Sequence, residues 1–119
     1  MGEHMTIETF VSKYQDSYSQ ARRFSRVPAT FPVFIRSDDL RMADQALDLS
    51  EGGVRVETDA PLPTMSLVAL HLELPRGDSV DVIGRVMWAQ KNSMGIRFEQ
   101  RDPLLLETVE RLRRELDTI

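Results

Sequence analysis

Two short runs hold the residue types from which a binding site for an anionic, planar ligand can be built. The first, "ARRFSRVP", contains Arg22, Arg23 and Arg26. Arg22 and Arg26 are four apart, so they are neighbours on a helix and share one face, roughly 13 Å apart, on an extended segment. Pro28 favours an extended end to the run. Guanidinium forks on one side of a short segment suit a compact ligand with separated anionic groups. The same three arginines could equally form a solvated basic linker.

The second run, "ALDLSEGGVRV", reads as a hairpin, with apolar alternation on either side of Gly52-Gly53. If Leu47 and Leu49 face the core, Asp48 and Ser50 project together on the other side, about 7 Å apart. Asp48 could accept hydrogen bonds from a purine edge carrying N–H groups, and Ser50 could donate to a phosphate. Gly52 and Gly53 can take positive φ and admit close approach to the backbone. Aspartate, serine and glycine are also ordinary turn residues, so the hairpin alone does not separate binding from folding.

The elements that must position these runs follow from the apolar spacing. Ile7, Val11, Tyr14 and Tyr18 form a helical stripe, predicting an amphipathic helix over about 6–20. From Val27 the period becomes two. Val27, Ala29, Phe31, Val33 and Ile35 mark a first strand, whose Pro28 and Pro32 point to an edge or a strand entered from a loop. The hairpin supplies two more strands. "TMSLVALHLEL" sets Val68, Leu70, Leu72 and Leu74 on one face before a turn at Pro75 and Gly77. "SVDVIGRVMWA" continues the alternation, which predicts a core position for Trp88, and "SMGIRFEQ" turns Ile96 and Phe98 inward. Gly84 and Gly95 are expected at bulges or close contacts.

Asp102-Pro103 opens a helix over about 103–117, with aspartate as N-cap and proline at the first helical position. Its apolar stripe is Leu105, Val109, Leu112 and Leu116, and Glu107–Arg111 and Glu110–Arg114 are expected as i,i+4 pairs. The organisation is therefore an N-terminal segment, 1–20, and one domain, 21–119. About six short antiparallel strands closed by a helix fit a small barrel or sandwich.

Composition narrows the function. The chain has 119 residues, 41% apolar and 29% charged, which fits one soluble globular domain. Without cysteine there is no disulfide, thiolate metal site or cysteine nucleophile. A net charge of −4 argues against general DNA or RNA binding. No apolar run is long enough for membrane insertion, and the first residues lack the features of a signal peptide, so a cytoplasmic location is expected. The histidines are His4 and His71, and His71 falls on an outward strand position. No residues have the spacing of a metal site, a catalytic group or a phosphate-binding glycine loop.

Taken together, Arg22-x-x-x-Arg26 and, one strand later, Asp48-x-Ser50-x-x-Gly53 resemble the paired motifs of the PilZ domain family. The likeness runs through "GRVMWA" and "SMGIRFEQRDP" into the closing helix, about residues 20 to 116. The resemblance implies a mainly β fold, a six-stranded antiparallel barrel with a C-terminal helix, that binds the bacterial second messenger cyclic di-GMP and performs no catalysis. By position, Arg22 and Arg26 would hold phosphates and guanine Hoogsteen edges, with Arg23 an auxiliary contact. Asp48 and Ser50 would contact a guanine and its adjoining backbone, and Gly53 would set the turn. Members with a further arginine just before the first motif arginine tend to bind a ligand dimer; Ala21 stands there, which implies one ligand per chain. Output would pass by conformational change to a partner protein. The rival reading is a PilZ-like adaptor that binds protein and no nucleotide.

Overall fold

The computed structural model describes residues 26–117. The expected helix over 6–20 lies outside the described residues, as do Arg22 and Arg23. Six strands follow in chain order: β1 (Val27–Ser37), β2 (Leu40–Ser50), β3 (Gly53–Glu57), β4 (Leu67–Glu73), β5 (Ser79–Gln90) and β6 (Ser93–Phe98). All pairings are antiparallel, and the order β1-β2-β3-β6-β5-β4 closes on itself through β1–β4. The fold is thus the expected six-stranded barrel. Helix α1 (Pro103–Asp117) follows β6 and rests against β1 and β2.

The alternating residues line the interior as their period requires. Val33, Leu72, Val56 and Val86 are fully buried, with Phe31, Ile35, Val68, Leu70 and Ile96 scarcely exposed. Each such side chain contributes about 1.5–3 kcal/mol on leaving water. Pro28 and Pro32 stand in the first part of β1, where β2 is the paired neighbour and the register with β4 has yet to begin at Val33. A missing N–H costs nothing on that side.

Closing so small a barrel bends the strands, and extra residues mark the bends. Ala46 pairs with Val56 and Asp48 with Arg55, so Leu47 is one residue too many for β3. Ala46 and Leu49, three apart, therefore both reach the core, and Leu47 is only half-buried. The simple alternation of Leu47 with Leu49 is corrected accordingly. Likewise Val86 pairs with Ile96 and Trp88 with Gly95, leaving Met87 extra in β5. That shift takes Trp88 out of the core alternation. It is half-buried and lies over Gly95, where a Cβ would come within 2.2 Å of the indole nitrogen. Gly84 is a close contact of another kind: a Cβ there would meet Ile96 Cγ2 at 2.5 Å and Leu70 Cδ1 at 3.2 Å.

Helix α1 begins as its sequence dictates. Asp102 Oδ1 accepts from Leu104 N–H at 2.9 Å, and its carbonyl accepts from Leu105 N–H at 3.0 Å. Leu105, Thr108 and Val109 are buried, and the Thr108 hydroxyl donates to the Leu104 carbonyl at 2.7 Å. Leu116, expected on the apolar stripe, is 46% exposed. Among the described residues the pairs Glu107–Arg111 and Glu110–Arg114 do not form. Arg111 instead donates to the Pro75 carbonyl at 3.2 Å, and Arg76 pairs with Glu115, tying the β4–β5 turn to the helix.

His71 faces outward as expected, with Nδ1 2.8 Å from Asp81 Oδ1 and Nε2 3.5 Å from Glu73. The hydrogen bond to Asp81 raises its pKa above the ordinary histidine value. This interaction stabilises the fold fully at low pH and is lost as pH rises through the folded-state value. An NMR titration should therefore place the His71 midpoint above that of a free histidine, and Asp81→Asn should lower it. Gly84→Ala should cost about 1–3 kcal/mol, since its Cβ would overlap the buried Ile96 side chain and crowd the Arg97 carbonyl; thermal denaturation reads it directly.

Candidate functional site

The two sequence runs meet at one carboxylate. Arg26, at the entrance to β1, places its Nε 2.6 Å from Asp48 Oδ1. Arg55, from β3, places its Nε 2.9 Å from Asp48 Oδ2. Asp48 and Arg26 are well covered, their side chains 12% and 8% exposed, while Arg55 is 39% exposed. One negative charge thus faces two positive ones, and the cluster is cationic overall. Asp48 is not the open, outward group of the simple hairpin. The two guanidinium groups cover it.

Ser50 is also more committed than its spacing implied. Its hydroxyl accepts from Gly52 N–H at 3.2 Å and donates to the Gly53 carbonyl at 3.3 Å, so it braces the turn. Neither Gly52 nor Gly53 adopts positive φ. Gly53 is required for a different reason: a Cβ there would fall 2.6 Å from the Ile96 carbonyl oxygen of β6. Gly52 has open space where a Cβ would point, and its carbonyl accepts from Phe98 N–H at 2.9 Å. Of the expected site residues, Arg26, Asp48, Ser50 and Gly53 therefore gather at the β2–β3 turn and the start of β1. Arg22 and Arg23 lie outside the described residues.

Arg55 is the residue that motif reading missed, yet its signal was present. Counting outward from the two-residue turn Glu51-Gly52 pairs Ser50 with Gly53, Leu49 with Val54 and Asp48 with Arg55. The row continues across the outer surface: Arg55 opposes Gly95, and Gly95 opposes Trp88. In the adjoining row Gly53 opposes Arg97, which opposes Arg85. Glu99 takes hydrogen bonds from Arg85 at 3.5 Å and Arg97 at 3.3 Å, and the Arg85 contact, chiefly, holds its carboxyl below the usual range. This flank offers guanidinium forks, an aromatic face and exposed turn backbone side by side. Such a set can bind phosphates and stack a base.

The geometry ranks the substitutions. Asp48→Ala removes the acceptor shared by two cations and should cost about 1.5–3 kcal/mol of stability. Arg55→Ala, at the exposed side of the same cluster, should cost less than about 1 kcal/mol. Chemical denaturation of the two variants measures the difference.

Comparison with known proteins agrees with this architecture. The family model described as "PilZ domain" matches residues 20–115. No curated protein matches the chain. Among solved structures, the PilZ domain of CeSA from a cellulose-synthesizing bacterium is similar at 24% identity and a TM-score of 0.59, over 77% of this chain and 97% of that one. The PilZ domain of YcgR from Escherichia coli, solved with cyclic di-GMP, is similar at 21% identity and a TM-score of 0.59, over 80% and 93%. Borreliella burgdorferi PlzA, in complex with cyclic di-GMP, is similar at 16% identity and a TM-score of 0.59, over 92% of this chain and 49% of that longer one. At these identities the structures speak for the fold, and the family match covers most of the sequence. The chain belongs to the PilZ domain family.

Proposed function

We propose that this domain is a cytoplasmic receptor for cyclic di-GMP, bound by Arg22, Arg23 and Arg26 on one side and by Asp48, Ser50 and Gly53 on the other. As a PilZ domain the chain is a binding and effector module, not an enzyme. The observation that carries the reading is the Arg26–Asp48 contact at 2.6 Å, which brings the second motif arginine onto the hairpin motif. YcgR and PlzA, of the same fold, were solved with this ligand, which adds support by similarity.

The chemistry of the cluster suits a cyclic dinucleotide. A guanine presenting two parallel N–H donors would take Asp48 from the solvent side by displacing Arg55, the more exposed of its two partners. Arg26 keeps the carboxylate oriented. The arginines of the first motif and the released Arg55 then face phosphates and Hoogsteen edges. Trp88, over Gly95 in the same outward row, offers a base a stacking surface. Charge-assisted hydrogen bonds of about 1.5–3 kcal/mol each leave micromolar affinity, about −8 kcal/mol, after ordering costs. Binding would reposition the segment before β1, including residues 1–20, and so alter contacts with a downstream protein.

Calorimetric titration with cyclic di-GMP should give micromolar binding at one ligand per chain, as Ala21 implies, with GTP and cyclic GMP as weak controls. Arg22→Ala should weaken binding at least roughly tenfold, the loss of one charge-assisted pair. Unchanged affinity removes Arg22 from the site, and two ligands per chain overturns the stoichiometry. Absence of heat with a folded protein would favour the adaptor reading.

A further inference from the structure

A second surface, formed by β2, β1, β4 and β5, is unused by the nucleotide site. Strand register sets its outward side chains in two rows. One runs Ala43, Phe34, His71, Asp81, and the next Arg41, Arg36, Ala69, Ile83. A shallow groove of about 640 Å³ follows these rows. Phe34 is 43% and Ile83 40% exposed, and Leu67, two residues before Ala69 on the same side of β4, is 51% exposed. Single exposed apolar residues are ordinary, but a contiguous set on paired strands marks a contact surface.

The charges around this apolar centre are arranged by corner. Arg36 and Arg41 are directly paired at one corner, and neither makes an ion pair with another described residue. Asp38 and Asp39, in the turn beyond them, are in ion-pair contact with neither. At the far corner stand Asp81 and Glu73, with side chains 82% and 51% exposed. Both lean on the single imidazole of His71, which cannot neutralise two carboxylates. Three strand spacings, about 14 Å, separate the corners across the sheet. A two-fold axis lying in the plane of the face exchanges them, so the surface is complementary to itself.

We propose that this face is the interface of a two-fold homodimer. Phe34, Ala69 and Ile83 meet their symmetry mates at its centre. Arg36 and Arg41 reach the partner's Asp81 and the partner's Glu73, and the reverse contacts close the other side. The face is small for a permanent interface, so the dimer is a weak, exchanging one. The inference is independent of nucleotide binding and is tested without ligand.

Analytical ultracentrifugation of the full chain, up to about 1 mM so that a weak dimer is populated, should show reversible dimerisation that weakens with added salt. Arg36→Glu and Asp81→Arg should each raise the dissociation constant at least roughly tenfold, because each sets like charges against one another across the axis. The chain carrying both changes should regain the dimer, because its reversed charges again oppose across the axis. Phe34→Ser should weaken the dimer without altering its salt dependence. All the substituted side chains are exposed, and circular dichroism checks that each variant keeps its fold. A chain that stays monomeric, a dimer indifferent to these substitutions, or a double variant that fails to recover overturns the proposal.

Discussion

Closure of the barrel is the constraint on which the rest of this structure depends. Six strands must bring β1 back to β4, and a regular pleat does not bend that far over so few residues. The bend is taken up where one strand gains a residue on its neighbour: at Leu47, at Met87, and in β1 between Pro28 and Phe31. Glycine stands where two elements then come too close for a side chain: Gly53 against the Ile96 carbonyl, Gly84 against the Ile96 side chain, Gly95 beneath Trp88. The features of the candidate site are by-products of this geometry. The bend at Leu47 turns Asp48 toward Arg26, and the bend at Met87 lays the indole on the outer surface.

In the proposed reading, the electrostatics of the site centre on exchange. Asp48 has its oxygens engaged by Arg26 and Arg55, so an incoming ligand competes for an occupied acceptor. The two arginines differ in cover, and that difference fixes which contact can be surrendered. A buried pair broken from one side leaves an uncompensated charge, whereas an exposed pair can be resolvated at small cost. The hairpin is held meanwhile by Ser50, whose hydroxyl bridges Gly52 and Gly53. These turn bonds do not involve Asp48.

Much of this was legible in the residues. Alternation located all six strands, and Asp102-Pro103 announced the helix through its cap. The paired motifs indicate the family from sequence alone. What local pattern could not supply was the effect of extra residues, because a bulge reverses alternation without changing composition. Trp88 was therefore expected in the core, and Leu47 was expected to share a face with Leu49. Arg55 was recoverable by counting register outward from the turn, but a motif written along one strand does not look across to its neighbour. The helix surface misled for another reason: Arg111 met the Pro75 carbonyl, a tertiary partner that no i,i+4 rule contains.

The position of Trp88 has an optical consequence. It is the chain's single tryptophan, half-buried on the outer surface in the row of Arg55 and Asp48. Indole emission responds to the polarity and charge around it, and here no second indole dilutes the signal. Events at the hairpin can therefore be followed in the unlabelled protein.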